Sequence, residues 1–409
     1  MESPKAHSNL LPLAEVFFDE LWKNYLYPLR EFVRKNELIQ IVPGFLVCPE
    51  TVIVYVGRTH IAVEYVGPEV ANEVSEKGSL CLQVFDYARE GDADLLQMIV
   101  GFSGDSTISF NMPMPELSED LVLPTNRGID KLMELGWNFA AQNSLMAFNM
   151  PLPTPTVGQF SRMVNSLFFD ANESGLQTRH IKWIDFYPIT VQSYNSEIES
   201  FGFNIKWLGE LVESDARFQY PLPKDYKFNK LPKINRFIEL WGNSATSEPE
   251  ITRHLSKPEN QFILTMRFGA TEIHSELVCE WQSENKDNIK PDFFIVQSNG
   301  FADIVEFKLP KLDKSPIVGR RNREAFASWL CSYIAQTRVY STYFDDPNNR
   351  RWFEQRYGFK VHKPKRKLVV GRRSDFPSDV WREIVHDYHD LEILTFDDLV
   401  DGVVAQFYK

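Results

Sequence analysis

Cysteine is scarce in this chain of 409 residues. Its four cysteines, at positions 48, 81, 279 and 331, form neither a C-x-x-C pair nor any other spacing typical of a metal site. Disulfide-rich secreted domains and zinc-binding modules depend on such pairs, so the sequence fits neither class. We expect free and mostly buried thiols in a protein of the reducing cytoplasm.

Long hydrophobic runs and nucleotide-binding glycine motifs are also absent. Charged residues interrupt every apolar stretch, and the first residues show no basic-then-apolar leader, so we expect no membrane span. No phosphate-binding loop and no G-x-G-x-x-G after a strand occurs, so ATP dependence is not predicted. A hydrophobic fraction of 43% nevertheless permits large cores, and the length predicts two or three domains.

Negative charge dominates the first part of the chain only. Residues 1–250 carry 20 basic and 33 acidic side chains, whereas residues 251–409 carry 24 and 23. Between Lys308 and Arg373 there are 17 basic and 5 acidic side chains. Such a local excess favours contact with nucleic-acid phosphates, although solvated cations beside an acidic domain would give the same count. The candidates for DNA contact are Arg320, Arg321, Arg323, Lys365 and Arg366.

The most informative pattern is P-D-x13-E-x-K, formed by Pro291-Asp292 and Glu306-Phe307-Lys308. Side chains alternate along a strand, so Glu306 and Lys308 share one face. If Asp292 ends near that face, the two carboxylates can hold Mg2+, with Mn2+ as the alternative. Lys308 can then orient the attacking water and offset charge in the transition state. This is the minimum equipment for metal-assisted hydrolysis of a phosphodiester.

A solvated surface pair is the alternative interpretation of Glu306 and Lys308. Their setting argues against it, because Ile-Val-Glu-Phe-Lys-Leu is an apolar run typical of a strand that is covered on both faces. Charges in such a strand cost free energy unless they are paired or bound to a metal. The pattern therefore favours a metal site.

A helical pattern follows from about Arg321 to Phe344, with apolar residues recurring at spacings of three and four. Gln336 and Tyr340 are four residues apart, so they are neighbours on one side of this helix. They can serve the site, or Tyr340 can belong to the core with Gln336 at its boundary. Both interpretations stay open at this point.

These segments, together with Thr395-Phe396-Asp397-Asp398-Leu399 near the end, resemble the C-terminal domain of Shedu anti-phage nucleases. That family belongs to the PD-(D/E)xK, or restriction-endonuclease-like, superfamily, and the resemblance covers roughly residues 245–409. It implies a bacterial DNA endonuclease in phage defence. It also implies that an N-terminal region senses or clamps DNA, and that copies assemble through their nuclease domains as a homo-oligomer, most simply a tetramer.

The resemblance further implies a third acid on the helix before the first core strand. Glu250 is our first candidate, as a catalytic and metal-binding residue, and Glu248 and Glu259 are the alternatives. Ser247-x-x-Glu250 is also a capping box, in which Glu250 would instead bind the amide of Ser247.

The alternation of strands and helices predicts an α/β domain after an α+β N-terminal region. We expect a β-rich domain over residues 1–120, an α+β domain over 121–243 and the nuclease domain over 244–409. Val157–Phe169 is predicted as a helix. Strands are predicted at Glu276–Trp281, Asp292–Val296 and Ala302–Leu309.

The sequence thus predicts a Mg2+-dependent DNA endonuclease that nicks or cuts, with Asp292, Glu306, Lys308, Gln336 and Glu250 at its site. Two alternatives remain. One is a catalytically silent DNA-binding sensor that acts by assembly, and the other is an RNA nuclease with the same metal site. An intact Asp, Glu and Lys set argues against the silent sensor.

Overall fold

The computed structural model describes residues 10–88, 95–102, 112–139, 144–145, 152–194, 197–220, 230–283, 286–321 and 323–408. It divides the chain into two compact units. The first consists of Met1–Lys131 and Phe139–Phe228, and the second of Leu132–Asn138 and Asn229–Lys409. Both units mix helices and strands, as predicted.

The first unit is built on a nine-stranded sheet in the order β3-β1-β2-β8-β7-β5-β6, with β4 also paired to β7 and β9 to β8. This sheet crosses the boundary predicted at residue 120, so the structure has one N-terminal unit where the sequence analysis expected two. The strands are β1 Thr51–Val56, β2 His60–Val66, β3 Cys81–Asp86, β4 Leu117–Glu119, β5 Leu121–Pro124, β6 Ser144–Leu145, β7 Ser161–Asn172, β8 Gly175–Tyr194 and β9 Glu197–Phe203.

Short helices accompany this sheet. A π-helical turn, Trp22–Leu26, lies between the first two of them. The helices of this part of the chain are α1 Leu11–Leu21, α2 Tyr27–Lys35, α3 Gly44–Val47, α4 Leu95–Val100, α5 Asn126–Glu134 and α6 Val212–Ala216.

The helix predicted at Val157–Phe169 is wrong, because this segment lies mostly in strand β7, which pairs antiparallel with β8. Almost every residue of β7 is buried. A strand that is covered on both faces loses the polar alternation that marks a strand, and its apolar run then resembles a buried helix. The expected burial of the thiols is also only partly right, because Cys279 is buried whereas Cys81 and Cys331 are exposed; all four are free.

The second unit contains a mixed five-stranded sheet in the order β10-β11-β12-β15-β16. Strand β11 pairs antiparallel with both β10 and β12. Strand β15 pairs parallel with both β12 and β16. A separate hairpin is formed by β13 and β14. The strands are β10 Ala270–Ser275, β11 Phe293–Gln297, β12 Ala302–Phe307, β13 Ile317–Arg320, β14 Arg323–Phe326, β15 Arg366–Val369 and β16 Leu391–Leu394.

Seven helices are present in the described part of this unit. They are α7 Leu231–Gly242, α8 Glu248–Ser256, α9 Phe262–Phe268, α10 Ser328–Asp345, α11 Pro347–Tyr357, α12 Ser378–His386 and α13 Phe396–Tyr408. Since α7 belongs to this unit, the unit begins before the predicted boundary at residue 244.

Two predictions for this unit differ from the structure. The first strand was placed at Glu276–Trp281 but lies upstream, at β10. The long helix was started near Arg321 but begins at Ser328, after the β13–β14 hairpin. Both errors displace an element along the chain without changing the central strand, which carries the motif.

Within the described ranges, no helix combines the length and apolar character that a bilayer crossing requires.

Candidate metal and catalytic centre

The central strand β12 brings Glu306 and Lys308 to one side of the sheet. The strand ends at Phe307, but the amide of Lys308 still donates to the carbonyl of Val369, at 2.8 Å, which extends the pairing with β15 by one residue. Glu306 and Lys308 are buried, with exposed fractions of 3% and 7%. Both charges are thus desolvated, as the apolar flanking sequence predicts.

Asp292 reaches the same place from the neighbouring strand. The antiparallel register pairs Phe293 with Val305, which puts Asp292 opposite Glu306 at the start of β11. Directly opposed residues share a face of the sheet. The amide of Phe307 donates to Asp292 Oδ2 at 2.7 Å and fixes its position.

The third carboxylate is Glu248, the first residue of α8. Ligand oxygens of Glu248, Asp292 and Glu306 all lie within 4.8 Å of one another. Glu259, the other alternative from the sequence, is not part of this group among the described residues.

Glu250, our first candidate for the third acid, is not in this cluster. Its Oε2 accepts the amide of Ser247 at 2.7 Å and the hydroxyl of Ser247 at 2.8 Å, which completes the capping box. The backbone and side-chain hydrogen bonds from Ser247 lower the pKa of Glu250. Its carboxylate therefore stabilises the helix end, and the assignment passes to Glu248.

The ammonium of Lys308 joins two of the three carboxylates. It lies 2.8 Å from Glu306 Oε1 and 3.0 Å from Glu248 Oε1. Burial by itself lowers the pKa of Lys308, but the charges and hydrogen bonds of Glu306 and Glu248 outweigh it, and the net change is upward. Lys308 is therefore a cation that neutralises part of the buried negative charge in the metal-free protein.

Helix α10 holds Glu306 from the other side. Gln336 Nε2 donates to Glu306 Oε1 at 2.7 Å, and Tyr340 Oη donates to Glu306 Oε2 at 3.0 Å. Gln336 also donates to Tyr340 Oη at 3.0 Å. Burial, and then the charge of Glu306, raises the pKa of Tyr340, so its phenol stays protonated as a donor. Both residues of the pair contact Glu306, as the first interpretation of the sequence expects. Tyr340 also belongs to the core, as the second expects.

The donor set suits a hard divalent cation. Three carboxylates and no histidine or cysteine form the group, which is the ligand chemistry of Mg2+ rather than Zn2+. Asp292 Oδ1 and Glu248 Oε2 accept no hydrogen bond from the described residues. Asp292 and Glu248 therefore each keep an oxygen available, and the residues fit a magnesium ion.

The crowding of carboxylates changes their protonation. Burial, and next the charge of Glu306, raises the pKa of Asp292 from 3.8 to about 7. Burial also raises the pKa of Glu306, against the attraction of Lys308. Because the folded protein holds these protons more tightly than the unfolded chain, this contribution to stability decreases as the pH rises toward about 7.

Asp292→Asn is expected to raise the melting temperature of the metal-free protein at pH 8, because it removes a buried charge. At about 1.4 kcal/mol per pKa unit, a rise from 3.8 to about 7 corresponds to a gain of about 4 kcal/mol at most. At pH 5, where Asp292 is largely protonated, the two proteins should melt at nearly the same temperature. Calorimetry in EDTA at both pH values measures the two melting temperatures. An equal difference between the proteins at pH 5 and pH 8 would contradict the raised pKa of Asp292.

The predicted DNA-contact residues separate into two groups. Arg320, Arg321 and Arg323 are exposed in the β13–β14 hairpin, and Lys365 is exposed before β15. Arg366 is a correction, because it is buried, donates to Thr337 Oγ1 at 3.1 Å and lies 2.7 Å from Asp390 Oδ2. Its guanidinium serves the fold and does not face a ligand.

One comparison with known proteins gives a family. Residues 236–400 match the family model described as Shedu protein SduA, C-terminal. No curated protein matches the chain. The matched segment contains all four charged residues of the centre, Glu248, Asp292, Glu306 and Lys308. The chain therefore contains, in residues 236–400, a domain that is similar to the C-terminal domain of Shedu proteins.

Proposed function

We propose that the second unit is a Mg2+-dependent DNA endonuclease of the PD-(D/E)xK type, and that it acts in anti-phage defence. The convergence of Glu248, Asp292, Glu306 and Lys308 carries the proposal. A mixed sheet whose central strand bears the E-x-K residues supports the same superfamily. The similarity of residues 236–400 to the C-terminal domain of Shedu proteins supports the defence role.

The three carboxylates would bind the ion, and a bound Mg2+ would polarise the phosphate and lower the pKa of a water ligand. The protein contributes orientation and charge. Gln336 and Tyr340 each hold one oxygen of Glu306, so this ligand cannot rotate freely. Lys308 places a positive charge beside the ligands, where negative charge develops on the phosphate in the transition state.

The first unit would control this activity. Its two segments, residues 1–131 and 139–228, carry 17 basic and 29 acidic side chains, and this net charge of −12 disfavours the binding of free nucleic acid. We propose that it regulates the access of DNA to the second unit or senses DNA.

Purified wild-type protein is expected to convert supercoiled plasmid to nicked or linear DNA in Mg2+, and to leave it intact in EDTA. Glu306→Gln should be inactive, because it removes one ligand charge while keeping the shape of the side chain. The assay is agarose electrophoresis of plasmid, linear duplex and single-stranded RNA.

Cleavage in EDTA, or by Glu306→Gln at the wild-type rate, would refute the proposed mechanism. Cleavage of RNA alone would assign the same centre to an RNA nuclease. Binding of DNA with no cleavage of any substrate would favour the silent sensor.

A further inference from the structure

The connection between β12 and α10 contains a cluster of cations that form no ion pair with the described residues. We call residues 311–323 the basic arm. It holds five basic residues and one acidic residue, Asp313. The five, all exposed, are Lys311, Lys314, Arg320, Arg321 and Arg323.

Several cations of the positively charged region outside the basic arm are ion-paired. Beyond the arm, Arg366, Lys367, Arg372 and Arg373 each lie within 3.0 Å of a carboxylate supplied by residues 390–401. None of the five cations of the arm forms an ion pair with any residue in the described ranges. The five cations of the arm are therefore not compensated by ion pairs within the described ranges, and they are dense, because the arm has five basic residues and one acidic residue among its thirteen.

The β13–β14 hairpin orders three of these cations. Its register places Arg320 directly opposite Arg323, and Ile317 opposite Phe326. Since alternate pairs share a face, the arginine pair lies on the same face as Val318 and Ala325, which are exposed. Like charges directly opposite each other destabilise a sheet. The fold gains nothing from this pair, whereas a polyanion bound across it would.

Backbone geometry and side-chain packing fix the conformation of the β13–β14 hairpin. Gly319 has a φ of 119°, and a Cβ at this position would lie 2.2 Å from the carbonyl oxygen of Arg323. At the base of the hairpin, the amide of Ala327 donates to the carbonyl of Pro316 at 2.8 Å. The ring of Phe326 packs against Trp381, with centroids 6.0 Å apart. The arginines are thus presented on an anchored two-stranded ribbon.

In the sequence, the basic arm lies between two residues of the candidate centre, Lys308 and Gln336. Lys308 lies three residues before Lys311, and helix α10, which carries Gln336, begins five residues after Arg323. A ligand held by the arm is therefore held by the same connection that joins two residues of the centre. Unpaired arginines that face solvent are the side chains that bind phosphate best.

We propose that the basic arm binds the phosphodiester backbone of duplex DNA and delivers it to the carboxylate centre. The delivery rests on the proposed nuclease function, whereas the binding does not. A two-stranded ribbon can follow a groove of duplex DNA, and its guanidiniums then contact phosphates without reading the sequence.

The test compares two triple variants of the full chain that lose the same charge. One is Arg320→Ser, Arg321→Ser and Arg323→Ser. The control is Arg351→Ser, Arg356→Ser and Lys360→Ser, which removes three exposed cations of the same unit outside the arm. Both variants should fold, because the altered side chains are exposed, and calorimetry checks this.

Binding is measured by fluorescence anisotropy with a labelled 30-base-pair DNA duplex in EDTA, over a series of KCl concentrations. Each phosphate contact contributes about 0.9 to the slope of log K against log salt. We expect the arm variant to lower this slope by about 2 to 3 and to weaken binding on the order of 10- to 100-fold at ~0.1 M salt. The control should keep the wild-type slope.

Equal slopes for the two variants would overturn the proposal, as would a wild-type protein that binds no DNA. Tighter, arm-dependent binding of duplex or single-stranded RNA of equal length would overturn the choice of DNA. Arm-dependent DNA binding without cleavage in Mg2+ would leave the inference standing and refute the nuclease. Cleavage in Mg2+ together with unchanged DNA binding by the arm variant would support the nuclease and overturn the inference about the arm.

Discussion

Lys308→Ala is expected to slow Mg2+-dependent cleavage by about 10²- to 10³-fold and, at the same time, to tighten the binding of divalent cations. The first effect follows if the ammonium stabilises charge in the transition state, since removal of one such group costs about this much. The second follows from the geometry of the centre. Lys308 lies 3.0 Å or less from Glu248 and Glu306, so it repels an incoming cation and occupies two of its ligands.

The gain in affinity should be large enough to measure. Two unit charges about 4 Å apart interact by about 4 kcal/mol at the effective dielectric constant of 20 that suits sites near a protein surface. Structural relaxation and solvent screening will reduce this repulsion, so we expect Lys308→Ala to bind the cation about tenfold more tightly. Isothermal titration with Mg2+ and with the inert ion Ca2+ measures it without reference to activity.

A matched control is available in the same sheet. Lys367 is also a buried lysine, 8% exposed, and is paired with Glu392 at 2.8 Å. It aligns with Val305 on β12, so it lies on the face opposite to Glu306. Lys367→Ala should destabilise the protein but leave cation affinity unchanged. Wild-type cleavage by Lys308→Ala would refute its catalytic role, and weaker cation binding would refute its role as a counter-ion.

The sequence was sufficient to predict that Asp292, Glu306 and Lys308 lie together, because their relation depends on short-range geometry. Side-chain alternation places Glu306 and Lys308 on one face, and antiparallel pairing of adjacent strands brings Asp292 opposite Glu306. The spacing of four between Gln336 and Tyr340 was informative for the same reason, since it is set by a single helix.

Partners that are distant in sequence could not be predicted. Arg366 resembled a surface cation because it follows Lys363 and Lys365, yet it starts a buried strand and pairs with Asp390. The hairpin was missed because Phe326 and Leu330 continue the helical spacing of α10 toward the N-terminus. In both cases the tertiary environment, and not the local pattern, decided the structure.

The choice between Glu248 and Glu250 shows where the local pattern leaves two answers. Successive helix residues are about 100° apart, so positions two apart point to opposite sides of the helix. Only one of the two can face the sheet. The sequence contained the deciding evidence, because Ser247 makes Glu250 the partner in a capping box and leaves Glu248 for the centre.

Glu248→Gln is therefore expected to abolish most of the metal binding and cleavage, whereas Glu250→Gln should leave both unchanged. Glu248 supplies one of three ligand charges, and its loss should cost at least the ~10- to 100-fold in affinity that loss of an outer-shell partner costs. Glutamine at position 250 can still accept the amide of Ser247, so the capping box is kept, with a small loss of melting temperature.

The two variants form a close pair, because they differ by two positions on the first turn of α8 and remove the same charge. Titration with Ca2+, melting temperature with and without Mg2+, and plasmid nicking should all separate them in the same direction. If Glu250→Gln loses the Mg2+-dependent rise in melting temperature and Glu248→Gln keeps it, then the metal-bound protein uses the other face of α8. The capping box would in that case have to open when the ion binds, and Lys308 would lose the reason for its contact with Glu248.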